Sequence, residues 1–80
     1  LNAQKAAIST CAAAAAYQDA IVIGNPKNAG KAQTMLLKLQ PFCDSKTPPA
    51  ALSKGEEEAF RWLREQAQPY IQPYKPYKGA

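Results

Sequence analysis

The chain has no histidine, and only one methionine, one tryptophan and two cysteines among its 80 residues. Without histidine there is no side chain that ordinarily serves as a base near neutral pH. Two cysteines alone do not make the four-ligand set of a structural zinc site. No catalytic, cofactor or metal constellation is therefore expected. Long hydrophobic runs are also missing. The most apolar stretches, 11–16 and 20–23, fall far short of the ~20 residues that span a bilayer, so no transmembrane segment is expected. No segment alternates apolar and polar residues for long enough to suggest a sheet. Charge is sparse, with ten basic and six acidic residues and a net charge of +4. An excess this mild gives solubility and soft attraction to acidic surfaces.

Eighty residues make one domain, and a core this small is marginal because so much of its surface stays wet. Chains of this size usually add a crosslink, a metal or a partner. Cys11 and Cys43 sit almost symmetrically about the turn signal Gly24-Asn25-Pro26. Two helices folded back on each other at that turn would bring them together. A disulfide there closes a loop of about 33 residues and contributes roughly 3–4 kcal/mol in the chain-entropy model. The alternative is two free thiols behaving as small hydrophobes in a reducing compartment. The disulfide reading implies an oxidising place: periplasm, cell exterior, thylakoid lumen or mitochondrial intermembrane space. The chain begins at Leu1 and not at Met, which suits a mature form whose targeting segment has been removed, or a trimmed one.

The helical signals divide the chain into three. Residues 2–23 form the first predicted helix, with Asn2 as N-cap and an alanine run at 12–16. Its expected inward stripe is Ile8, Cys11, Ala15, Gln18 and Val22, widened by Tyr17 and Ile21. Gly24 is the expected C′ residue, and Pro26 prevents continuation. A second helix is predicted over 27–40, capped by Asn25 or Asn28, with the stripe Ala32, Met35, Leu36 and Leu39. Pro41 should end or kink it, leaving Cys43 just past the helix end. After a proline-marked loop, Ser53-Lys54-Gly55-Glu56 matches a capping box and opens a third helix over 54–68. Ala59, Phe60, Leu63 and Ala67 share its apolar face, with Trp62 to one side. The fold expected is all-α: a disulfide-stapled antiparallel hairpin and a third helix in a domain spanning 1–68, then an extended tail over 69–80. That tail repeats a Pro-Tyr pair at Pro69-Tyr70, Pro73-Tyr74 and Pro76-Tyr77, a composition that favours polyproline II.

Several function classes find little support. The carboxylates form no obvious pair, and Glu56, Glu57 and Glu58 read as a helix start. Residues 24–31 fail as a phosphate loop: five residues separate the glycines, Ala32 replaces the magnesium-binding hydroxyl, and no strand precedes them. Lys27, Lys31 and Lys38 on one helix, with only Arg61 and Arg64 as arginines, do not form the clustered stripe of a nucleic-acid binder. Nucleic acid is not an expected partner.

The tail is the most function-like feature, since tyrosine on a pre-extended chain offers contact area at little entropic cost. It reads as a docking strap, as a segment laid over its own helices with Tyr70 and Ile71 covering Trp62 or Phe60, or as a loose terminus. Trp62 reads either as core or as an exposed anchor, with partial burial expected. The leading expectation is a small exported, non-enzymatic accessory subunit on a larger protein complex, such as the extrinsic face of a membrane complex or a virion or surface assembly. Trp62, Tyr70, Tyr74 and Tyr77 would make contact, with Lys75 and Lys78 steering. The alternatives are an inhibitor or immunity-type protein neutralising a secreted enzyme, and a cationic membrane-active peptide.

Overall fold

The computed structural model describes residues 2–71. Three α-helices run through them: α1 (Asn2–Gly24), α2 (Ala29–Asp44) and α3 (Lys54–Ala67). Short 3-10 turns precede α2 (Pro26–Asn28) and follow α3 (Gln68–Tyr70). The all-α expectation holds, and Cys11 and Cys43 are joined, with 6.0 Å between their Cα atoms.

The direction of each helix follows from its contacts. The disulfide ties the middle of α1 to the last turn of α2, and the first turn of α1 reaches the residues just past α2 through Gln4 and Lys46, so the two helices are antiparallel. Lys31, early in α2, meets Trp62, late in α3, which makes that pair antiparallel as well. Tyr17 of α1 packs on Phe60 of α3 with ring centroids 5.8 Å apart, and Gly24 lies against Tyr70. α1 and α3 are therefore parallel, in an up-down-up bundle.

The core runs along the axis of the bundle as Ala7, Ala14 and Ile21 from α1, Ala32, Leu39 and Phe42 from α2, and Ala59, Leu63 and Ala67 from α3. Five of these nine are alanine. Alanine lets the helix backbones approach closely, but each supplies little apolar area. The three large side chains below 2 % exposure are Ile21, Leu39 and Leu63, each worth about 1.5–3 kcal/mol of burial. In a core this thin the crosslink should carry a large share of the stability.

Four expectations are corrected. First, the inward face of α1 is centred on Ala7, Ala14 and Ile21. Ile8, Ala15 and Val22 are exposed, and only Cys11, Tyr17 and Gln18 of the remaining stripe are partly buried. An alanine-rich helix has several stripes of similar apolarity. The Tyr17–Phe60 contact and the close approach at Ala14 select one of them.

Second, α2 does not stop at Pro41. It continues to Asp44, so Cys43 lies within its last turn. The bond lost at the proline nitrogen would have gone to the carbonyl of Leu37, and both Leu37 and Pro41 lie on the exposed side of the helix, where losing an internal partner costs least. Third, Gly24 is the final residue of α1 and not a left-handed cap. Glycine suits the position because the Tyr70 ring occupies the space a Cβ would need, so any larger residue there displaces the ring.

Fourth, α1 over Ala3–Gly24 is long and apolar enough, by length and composition alone, to cross a membrane. Counting unbroken apolar runs missed this, because scattered Gln, Ser and Thr interrupt the runs while the helix carries only Lys5 and Asp19 as charges.

The ends are tied locally. Ser53 Oγ accepts from the Glu56 backbone N–H at 3.3 Å, while the Ser53 N–H donates to Glu56 Oε1 at 3.0 Å, completing the predicted capping box. Neither Asn25 nor Asn28 makes a side-chain cap bond. Gln4 Nε2 donates to the Lys46 carbonyl at 3.3 Å, joining the first turn of α1 to the loop after α2.

Candidate interaction surface

Each helix presents a different outward chemistry. α3 has the strongest apolar-to-polar contrast: Ala59, Leu63 and Ala67 point inward, and Glu57, Glu58, Arg61, Arg64 and Glu65 face water. Arg61 and Glu57 pair at 3.3 Å across one turn, an exposed contact worth only a few tenths of a kcal/mol. α1 is the opposite case. Ile8 is 70 % and Ile23 82 % exposed, and Val22 joins them on the surface. On α2, Leu37 is also exposed. No large apolar side chain of α3 is left in water to that degree.

Two larger clefts flank the bundle. One, of ≈ 570 Å³, lies beside the disulfide, between Ala7, Ile8 and Cys11 of α1 and Cys43 and Pro48. Its one charged lining residue is Lys46. A smaller hollow of ≈ 190 Å³, lined by Leu36 and Gln40, adjoins the same two cysteines. The other large cleft, also ≈ 570 Å³, lies between α2 and α3 and mixes Lys31, Lys38, Glu56 and Glu58 around Met35 and Trp62. Lys31 Nζ stands 4.9 Å from the centre of the Trp62 ring, a cation–π contact worth about 0.5–1 kcal/mol at an exposed site. Among the described residues no three metal-ligating side chains come together.

The residues expected to make contact divide into three groups. Trp62 is partly buried, as expected, with Lys31 over its face. Tyr70 sits at the end of α1 against Gly24, within a 3-10 turn that begins the segment expected to be extended. Proline's fixed φ suits the start of such a turn, which accounts for Pro69 there. Ile71 packs against the core. Tyr74, Lys75, Tyr77 and Lys78 lie outside the described residues.

The exposed apolar face of α1 was not anticipated. A signal for it exists in the sequence: Lys5 and Asp19 are the only charges of α1, and 14 residues, close to four turns, separate them. They mark one side of the helix as outward. The stripe opposite contains Ala14 and Ile21.

No protein-family model matches the chain, no curated protein is similar to it, and no solved structure resembles it.

Proposed function

We propose that the protein is a small, exported, non-enzymatic binding subunit that docks on a larger protein assembly. The observation that carries this reading is the concentration of exposed large apolar side chains on the α1–α2 hairpin: Ile8, Val22 and Ile23 on one helix and Leu37 on the next. Scattered exposed apolar residues are ordinary, but a set of them along one helix face of so small a domain favours a covered surface. The Cys11–Cys43 crosslink supports an oxidising compartment. Trp62, with its indole partly in water beside Lys31, offers a second contact of the aromatic-plus-cation kind common at interfaces.

One observation favours a lipid partner instead: the length and apolarity of Ala3–Gly24. Against it stand the covalent tie of α1 to α2 and the packing of Ala7, Ala14 and Ile21 inside the bundle.

The test is gradient sedimentation of native extract prepared without reductant, comparing the natural chain with Ile23→Glu. A protein assembly much larger than two copies of the 8.7 kDa chain, lost in the variant, supports docking. Migration of both as free small species, or with lipid vesicles only, removes it.

A further inference from the structure

The outward side of α1 carries a second seven-residue pattern, separate from the buried one. Lys5, Ala12 and Asp19 recur at that interval, as do Ile8, Ala15 and Val22, and all six are exposed. This spacing of three and four is the kind that lines a helix–helix seam. Its charges are placed in a particular way. Lys5 and Asp19 each stand seven residues from Ala12, roughly 10 Å along the axis on either side.

We propose that this face pairs with the same face of a second copy of the chain, the two α1 helices running antiparallel about a two-fold axis at Ala12. The inference goes beyond the docking reading above: the seam centred on Ala12 takes Lys5, Ile8, Ala12, Ala15 and Asp19, and leaves Ile23, Leu37 and Trp62 to meet a larger assembly.

Four arguments lead to a second copy. An antiparallel pair centred on Ala12 sets Lys5 opposite Asp19 of the other copy, and Asp19 opposite its Lys5, so both charges on the helix are matched. A parallel pair would oppose Lys5 to Lys5 and Asp19 to Asp19, which is repulsive. Between the charges the face offers Ile8, Ala12 and Ala15, and Ile8 of each copy then lies near Ala16 of the other. A large side chain set beside a small one at these two symmetry-related places lets the axes come close. Finally, the molecule carries a net charge of +4, so copies repel wherever basic residues meet. This seam holds none but the matched Lys5. A C2 interface of this kind is self-complementary, as closed symmetry requires.

The size of the face sets the strength. α1 has 23 residues, so it is about 34 Å long, and with a helix width of about 10–12 Å the contact covers roughly 350–400 Å² per copy. That is about half of the ~800 Å² per partner in a stable standard interface. The pair is therefore weak and concentration-dependent, and rising salt loosens it by screening its two exposed ion pairs.

Sedimentation equilibrium of the full, oxidised chain over about 10 µM to 1 mM reads the association directly, the upper end being chosen for a contact of this size. The natural chain should shift towards twice 8.7 kDa. Ala12→Glu, which sets two carboxylates against each other at the axis, should remain monomeric. Lys5→Glu should weaken the dimer at least ~10-fold, about 1.4 kcal/mol, and adding Asp19→Lys should restore it to within about threefold, since the attractive pairs return with reversed sign. Far-UV circular dichroism checks that every variant keeps its helices. A natural chain that stays monomeric throughout the range overturns the pairing, as does a double variant no tighter than Lys5→Glu alone. A monomer that still enters a large assembly, and loses it with Ile23→Glu, would remove the self-pairing and leave the docking reading standing.

Discussion

Replacing both bridged cysteines with alanine, Cys11→Ala/Cys43→Ala, should cost this domain a large share of its stability. The crosslink joins residues 32 apart in sequence. Closing such a loop removes about 12 cal/mol/K from the unfolded chain, or roughly 3.5–4 kcal/mol at room temperature. The packed contribution of the two half-buried sulfurs adds to this only slightly. Domains have about 0.05–0.15 kcal/mol of stability per residue, which for 80 residues gives roughly 4–12 kcal/mol. A core in which five of nine residues are alanine argues for the lower part of that range. At about 4–8 °C per kcal/mol for a domain of this size, the melting temperature should fall by roughly 15–30 °C. Thermal and urea unfolding followed by far-UV circular dichroism measures it, and the urea slope should rise because the uncrosslinked chain opens further. A variant that melts within a few degrees of the natural protein refutes the reasoning. It would mean that the helices hold each other without the staple.

Three other substitutions test the packing and the ends. Leu63→Ala empties a fully buried site where all three helices meet, and should cost about 2–5 kcal/mol; a loss below 1 kcal/mol on urea unfolding would show that the site collapses or is not buried. Ser53→Ala removes one half of the capping box and should cost about 1 kcal/mol, with hydrogen exchange accelerated in the first turn of α3 and nowhere else. Gly24→Ala gains up to about 1 kcal/mol of helix propensity but collides with Tyr70. It should therefore stabilise in a Tyr70→Ala background and be neutral or destabilising in the natural one, and equal effects in both backgrounds would show that the ring does not rest there.

The parts of the fold legible in the sequence are those set by strong local chemistry or by simple counting. Ser53 and Glu56 define a helix start through their own side chains, and the structure places it there. A lone pair of cysteines astride a turn is nearly a distance restraint, and the bond follows. The parts that were not legible depend on small differences between equivalent choices. On α1 the stripe through Ile8, Ala15 and Val22 is more hydrophobic than the one through Ala7, Ala14 and Ile21, yet the second faces inward, with alanine at two of its three positions. Bulk that looks like core by hydropathy does not fit where three backbones crowd together. At Pro41 the general rule against proline inside helices gave way on the exposed side of α2, where both Pro41 and Leu37 face outward. Tyr70 found a partner on the far end of α1 because glycine there leaves a flat place for a ring, a complementarity between distant positions that no local pattern announces. For the interaction surface, Trp62 was readable as a half-buried aromatic, whereas the apolar flank of α1 became visible only once its inward side was known.

The covalent ring made by Cys11 and Cys43 encloses the second half of α1, the turn and most of α2, and leaves α3 wholly outside it. Opening the molecule is therefore unequal: the hairpin cannot separate far, while the third rod can swing off as a flap hinged at the proline-rich stretch 45–53. The cheapest excursion from the native shape is that detachment, and it bares Leu39 and Ile21 on a platform that stays assembled. Proteases should cut first within 45–53, and the earliest-exchanging amides of the bundle should be those of the helix the ring does not hold.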